Sequence, residues 1–291
     1  MATLYVFAFL LGLCVGSFLN VCVYRLPRGM SLLRPASHCP FCDEPILWHD
    51  NIPVIGWLKL RGLCRSCGVL ISPRYMLVEL LTGVVFLWIF AVHRAAPADT
   101  VLAGVEALAA YSLLAAALIA ASFVDIERMI IPDEISIGGM YIAPIACLFF
   151  PAIIPHDTYL TLWLLERAGL AHSAHLAGFT ASILGMGIGA AVVYFAGLLG
   201  RSLFRKEAMG FGDVKLMAMV GAFIGWQWVV LAFFTGCVLG AVVGVALLIR
   251  RRDTHIPFGP YLAGGSIIAM LHGDAVWHVF WNFPLIIRGW F

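Results

Sequence analysis

Two aspartates, Asp125 in the stretch VDIERMIIPDEIS and Asp213 in GFGDVKL, stand where long apolar runs give way to short polar loops. Bringing a carboxylate to the edge of the hydrocarbon is costly, so two such groups at one face point to catalysis or ion handling before they point to stability. The chemistry open to them is that of a shared proton. Carboxyl groups about 3 Å apart cannot both ionise, so one keeps a proton as general acid while the other activates water as general base. A pair of this kind titrates as a unit and can hydrolyse a peptide bond.

A second constellation lies in HCPFCDEPILWHDNIPVIGWLKLRGLCRSCG, where Cys39 and Cys42 are followed after 21 residues by Cys64 and Cys67 at the same spacing. Each C-x-x-C turn supplies two thiolates. Two such turns complete a tetrahedral site for structural Zn²⁺ in a module too small to hold a core of its own. The competing readings are four unconnected cysteines or a redox dithiol. His38 and His49 read as surface or supporting residues beside this set, and Cys14, Cys22, Cys147 and Cys237 as small hydrophobes of apolar segments.

The other acidic residues have structural explanations. Asp133, after Pro132, reads as the N-cap of the next apolar span. Asp213 would also serve as an N-cap, but Gly210 and Gly212 beside it permit close backbone approach and unusual dihedrals, as an extended substrate peptide requires. Lys215 could pair with Asp213 or snorkel. Glu127 and Glu134 can face solvent, and Glu79 and Glu106, inside apolar spans, can be interhelical polar contacts. Asp125 ends a helix, where the helix dipole disfavours negative charge, and this marks it as functional.

The elements that must hold these residues are membrane helices. With 62% hydrophobic and 12% charged residues, the chain has too little polar surface for a soluble globule. Its net charge of +2 is spread over loops, which argues against nucleic-acid binding. Apolar runs at about 4–24, 75–93, 101–124, 135–154, 178–199, 214–225, 228–249 and 257–272 give eight expected spans, with an aromatic tail from Trp277 to Phe291 at the interface. Residues 4–23 lack the basic start and cleavage site of a signal peptide and are kept as the first span. If the loop Arg25 to Arg74 is cytoplasmic, 15 of the 18 lysines and arginines share its side, and only Arg94, Arg167 and Arg288 face the other. Asp125 and Asp213 then fall together on the cytoplasmic face. The expected organisation is a first transmembrane helix (1–24), a cytoplasmic four-cysteine loop domain (25–74) and a transmembrane core (75–291).

These residues resemble the type IV prepilin peptidase family of membrane aspartyl proteases. The likeness runs through GSFLNVCVYRLP (Gly16 to Pro27), the four-cysteine loop with NIPVIGWLKLRG, ISPRYMLVELLTG (Ile71 to Gly83), the IPD segment, GFGDVKL and IPFGPYLAGG (Ile256 to Gly265). It implies that Asp125 and Asp213 are the catalytic dyad, with Gly210 to Asp213 as the G-x-G-D motif. It also implies removal of the leader from prepilins or type II secretion pseudopilins at the cytoplasmic side of the bacterial inner membrane, followed by methylation of the new N-terminal amine with S-adenosylmethionine. No glycine-rich Rossmann loop is present, so methylation rests on the resemblance. The donor site is expected in the cytoplasmic loop and the adjoining Gly16 to Arg25. Ser136, where a threonine is common, and the long outer segment from Pro155 to Ala174 depart from the family pattern. Two readings compete. A proton-coupled transporter would place its carboxylates near mid-membrane, often in duplicated halves. A thiol oxidoreductase would need its cysteines in an oxidising compartment.

Overall fold

The computed structural model describes residues 2–95, 101–154, 159–167, 169, 173–204, 209–249 and 257–288. Arg205, Lys206, Arg250 to Arg252, Ile256, His156 and the last three residues of the aromatic tail lie outside them. The described chain is helical: α1 Ala2–Arg25, α2 Ile55–Lys59, α3 Arg74–Ala95, α4 Val101–Arg128, α5 Asp133–Phe149, α6 Tyr159–Arg167, α7 Ala174–Phe204, α8 Phe211–Ile224, α9 Trp226–Ile249 and α10 Gly259–Arg288. Among the described residues there is no sheet, and the β-pairing is confined to two isolated bridges in the four-cysteine loop.

Each of the eight expected spans is helical, and five of these helices, α1, α3, α4, α7 and α9, are long and apolar enough to cross a bilayer. The protein is a multi-pass membrane protein. The shorter elements have local causes. α5 has 17 residues, and after it Pro151 opens a tight 3₁₀ turn, Pro151–Ile153, inside the stretch expected to be one span. α8, at 14 residues, is about 21 Å long against a hydrocarbon core of about 30 Å. α10 loses helical geometry at His272 (φ −132°, ψ 21°), between the expected last span and the aromatic tail. The segment YLTLWLLER, expected within a polar outer loop, forms α6 because its leucines can turn one face inward; Leu165 is 4% exposed.

Packing divides the chain into two compact units. The first comprises Met1–Pro97 with Ala115–Pro132, and its main helix pair is α1 against α3. Gly12 and Gly16 lie one turn apart on α1, and a Cβ at either would come within 2.8 Å and 2.7 Å of the α3 backbone, at Gly83 and Glu79. This small-xxx-small face lets the helices approach without a hydrophobic driving force from lipid. The second unit comprises Ala98–Leu114 with Asp133–Phe291. There α8 packs against α5, α7, α9 and α10, and every residue from Leu216 to Ile224 is buried. The close approach of α7 and α8 rests on Gly185 and Gly221, where a Cβ on one would stand 2.1 Å or less from the other's carbonyl oxygen. The Ser182 hydroxyl adds a hydrogen bond to the Ala222 carbonyl at 2.7 Å. A helix wrapped in protein has its apolar surface satisfied at a length that lipid would not tolerate.

Candidate functional site

The two C-x-x-C turns of the first unit are built alike. In the first, the Cys39 N–H donates to the Glu44 carbonyl, the Asp43 N–H to Cys39 and the Ile46 N–H to Ser37. In the second, Cys64 donates to Val69, Gly68 to Cys64 and Ile71 to Gly62, the same offsets in the same order. The position four after each leading cysteine has positive φ, 55° at Asp43 and 69° at Gly68. Asp is among the few residues besides Gly that accept that region.

This geometry brings the four sulfurs together. All Sγ atoms of Cys39, Cys42, Cys64 and Cys67 lie within 4.8 Å of one another, and Cys39 and Cys67 are 3.9 Å apart. Tetrahedral zinc with bonds of about 2.3 Å requires sulfurs about 3.8 Å apart, so the donor set fits. Their protonation is uneven. The backbone amides of Cys67 and Ser66 hold the Cys64 thiol down at about 6. At Cys42 the pull of the Glu44 amide is outweighed by burial and the three neighbouring sulfurs, which raise it to about 12. Thiolates this crowded repel one another, and a divalent cation relieves that repulsion. None of the four is in a disulfide, and His38, bonded to the Ala36 carbonyl, and His49, beside Asp50, stand outside the cluster.

The module has further supports that spacing did not announce. Arg65 forks onto Asp50 with two 2.5 Å bonds, tying the second turn to the segment between the turns and lowering the Asp50 carboxyl below its ordinary 3.8. The Trp57 indole donates to the Ile71 carbonyl at 3.0 Å. Glu79, expected as an interhelical contact, is hydrogen-bonded to Ser17 of α1 and also accepts from the Val54 amide at 2.7 Å, which fastens α3 to the loop. Arg25, 5% exposed, donates to the carbonyls of Ser31, Leu32 and Pro35. A cation at the end of α1 is favourable there, and an arginine closing a long apolar helix is the sequence signal that could have found it.

In the second unit Asp213 is the third residue of α8, and Gly210 is the N-cap. The helix starts earlier than the N-cap reading of Asp213 supposed. The Asp213 carboxylate reaches back to accept from the Gly210 N–H at 3.1 Å, within the positive end of the helix dipole. Gly210 adopts φ −79°, ψ 157°, an extended conformation open to any residue, so the unusual dihedral expected there is not used. Lys215 places its ammonium on Asp133, 2.7 and 2.9 Å from the two carboxylate oxygens, and beside the Phe211 ring. Asp133 is the first residue of α5, so this pair joins the starts of α5 and α8.

Asp125 belongs to the first unit, in the last full turn of α4. Its carbonyl accepts from the Met129 N–H at 2.8 Å, and Met129, at φ 55°, ends the helix before Pro132 does. Two residues on, Glu127 forms an ion pair with Arg74 at the start of α3. Asp125 is 7% and Asp213 8% exposed. Asp43 and Asp133 are exposed and Asp50 only half-buried. Asp125 and Asp213 are thus the two aspartates buried as whole residues among those described, while the Asp50 side chain, 3% exposed, is covered by its fork to Arg65.

A family model described as "Bacterial Peptidase A24 N-terminal domain" matches residues 10–93, and one described as "Type IV leader peptidase family" matches residues 112–245. The prepilin leader peptidase/N-methyltransferase of Aeromonas hydrophila is 34% identical to this chain over 298 residues, covering 92% of this chain and 90% of its own length. The chain belongs to the type IV leader peptidase family. A protein of the same name from Stutzerimonas stutzeri is 35% identical, over 92% of this chain and 91% of its own. One from Myxococcus xanthus is 37% identical over 84% of this chain, which spans 63% of that relative's length. No solved structure matches the chain. Within this leader-peptidase chain, the first model covers the four cysteines and the second covers both buried aspartates.

Proposed function

We propose that this protein is a prepilin peptidase and N-methyltransferase of the bacterial inner membrane, with Asp125 and Asp213 as an aspartyl dyad at the cytoplasmic face. The observation that carries the reading is the burial of these two aspartates, each at the end of a helix beside a polar loop. A buried carboxylate persists where a partner or a reaction needs it. The two sit in opposite local fields. The N-terminal dipole of α8 favours charge on Asp213, whereas the C-terminal end of α4 does not favour it on Asp125. In the proposed mechanism Asp213 is the general base that draws a proton from water. Asp125 carries the shared proton, polarises the scissile carbonyl and delivers the proton to the leaving amine. Gly210 and Gly212, without side chains, leave room for an extended substrate backbone beside Asp213, and Lys215 with Asp133 fixes where α8 begins.

The four-cysteine loop, residues 25–74, is proposed to bind one structural Zn²⁺, and residues 75–291 to form the protease core. The substrates are prepilins or pseudopilins with a basic leader, retained on the cytoplasmic side by the charge that also orients the protein. S-adenosylmethionine supplies the methyl group for the new N-terminal amine. The decisive experiment incubates the purified protein with a prepilin and labelled S-adenosylmethionine and measures the mass of the product's N-terminus. The expected product has lost its leader and gained one methyl group. An uncut substrate rules out the peptidase, and a cut but unmethylated product rules out the transferase.

A further inference from the structure

The first unit encloses a cavity of about 850 Å³ between the second half of α1, the start of α3 and the four-cysteine loop. That is within the range of about 300–1,000 Å³ for small-molecule sites. The peptidase chemistry makes no use of it. Its wall is mainly apolar and aromatic, with Tyr24, Trp57 and Tyr75, and three polar groups from two helices converge there. Glu79, 8% exposed, accepts from the Val54 amide and lies within reach of the Ser17 hydroxyl. Asn20, 4% exposed, spends its amide N–H on the Tyr75 carbonyl at 2.9 Å. Its Oδ1 is buried with no hydrogen-bond partner, and an acceptor in that state is costly unless something donates to it.

The charge of the cavity is selective. Of the arginines on its wall, Arg25 is spent on three carbonyls and Arg65 on Asp50. Glu79 remains as a buried carboxylate facing the apolar space. Such a site suits cations with apolar bodies, and a methyl transfer from a sulfonium to an ammonium brings two of them together. We propose that this cavity is the methyl-donor site, where Glu79 and the Oδ1 of Asn20 receive the new N-terminal amine and the adenosyl group lies against the aromatic wall. This rests on the methyltransferase reading above. Glu79 takes one proton from the ammonium and frees its lone pair. The nitrogen then attacks the methyl carbon. The C–S bond breaks with both electrons going to sulfur, which leaves as a neutral thioether, while the new C–N bond leaves a secondary ammonium. Glu79 returns its proton to solvent. The loop's metal acts here at one remove, because the amide that positions Glu79 and the indole of Trp57 both belong to the segment held between the C-x-x-C turns.

The test uses the full-length protein in detergent, with binding of tritiated S-adenosylmethionine measured by equilibrium dialysis and the product N-terminus measured by mass. Val21→Trp fills the cavity from α1 and is expected to weaken donor binding at least about tenfold while leader cleavage continues. Glu79→Gln keeps an acceptor for Val54 but not the charge. It is expected to bind the donor as wild type does, cut the leader, and methylate about 100-fold more slowly. Wild-type methylation by Glu79→Gln, or unchanged donor binding by Val21→Trp, overturns the assignment. Should Val21→Trp also lose cleavage, Glu79→Gln decides alone. A wild-type protein that cuts without binding or methylating removes the transferase reading itself, an outcome distinct from failure of the cavity.

Discussion

The four cysteines and the two buried aspartates were equally visible as residues, yet the chain assembles them by different means. The cysteines lie within 29 residues, Cys39 to Cys67, and each pair is set by one turn whose three backbone hydrogen bonds repeat in the other. The aspartates are 88 residues apart and belong to different packing units. Each is positioned by its own helix end: Asp125 by the closing turn of α4, Asp213 by the opening turn of α8. A locally built site should fail by losing its ligand and its fold together, whereas single residues of the proposed long-range dyad should fail chemically while the fold persists.

The largest effect expected on that contrast is at the aspartates. Asp125→Asn and Asp213→Asn should each reduce leader cleavage by at least about 10²–10⁴-fold, the range for loss of a positioned acid or base. The variants should insert and purify as wild type does, since asparagine keeps the size and the hydrogen-bonding edge. Leader cleavage by either variant at a rate near wild type, assayed on a purified prepilin, would remove that residue from the chemistry. The cysteines should behave in the opposite way. Cys39→Ser with Cys42→Ser should bring bound zinc from one equivalent to none by elemental analysis and leave residues 25–74 open to protease. The binding free energy of structural zinc in small modules, about 10–16 kcal/mol, is also their folding free energy. Stoichiometric zinc after that double change would refute the four-thiolate site.

The legibility of the two sites follows the same division. Spacing alone announced the cysteine site, because two residues between ligands is a property of one turn and survives whatever the rest of the chain does. Periodicity and length located the apolar runs that became α1, α3, α4, α7 and α9. They left open whether the shorter runs that became α5 and α8 cross the bilayer, because a short apolar stretch has the same composition whether it meets lipid or protein. The burial of Leu216 to Ile224 is a property of the neighbours of α8, chiefly the glycines of α7. Lys215 shows the limit plainly. Asp213 is two residues away in sequence, yet the ammonium reaches across 82 residues to pair with Asp133. Glu79 is similar: besides the Ser17 hydroxyl it holds the Val54 amide, which only the folded loop presents to it.

The ion pair of Lys215 with Asp133 offers an intermediate test, since Lys215 is two residues from Asp213 without belonging to the proposed chemistry. Lys215→Ala or Asp133→Asn should lower kcat by about two- to fivefold with little change in KM, because a partly exposed pair is worth only about 0–1 kcal/mol. The charge-reversed double variant, Asp133→Lys with Lys215→Asp, should recover most of the loss. A merely solvating lysine would show neither the fall nor the recovery.

The smallest effect is expected within the metal loop, at Asp50. Arg65 hydrogen-bonds this carboxylate and holds it below its ordinary 3.8, so the folded loop favours its charged form. The stabilisation is complete at pH values above the unfolded carboxyl's range, near 3.9, and is lost as pH falls through the lowered folded value. At pH 7, Asp50→Asn should therefore speed zinc release to a chelator by about threefold, as befits one ion pair whose arginine is open to solvent. The rates for wild type and variant should converge as the pH falls below 4. Arg65→Ala should do the same, since it removes the other half of the fork. A variant that releases zinc as slowly as wild type at pH 7 would mean that the C-x-x-C turns hold the loop unaided, and the contrast with the aspartates would then be complete.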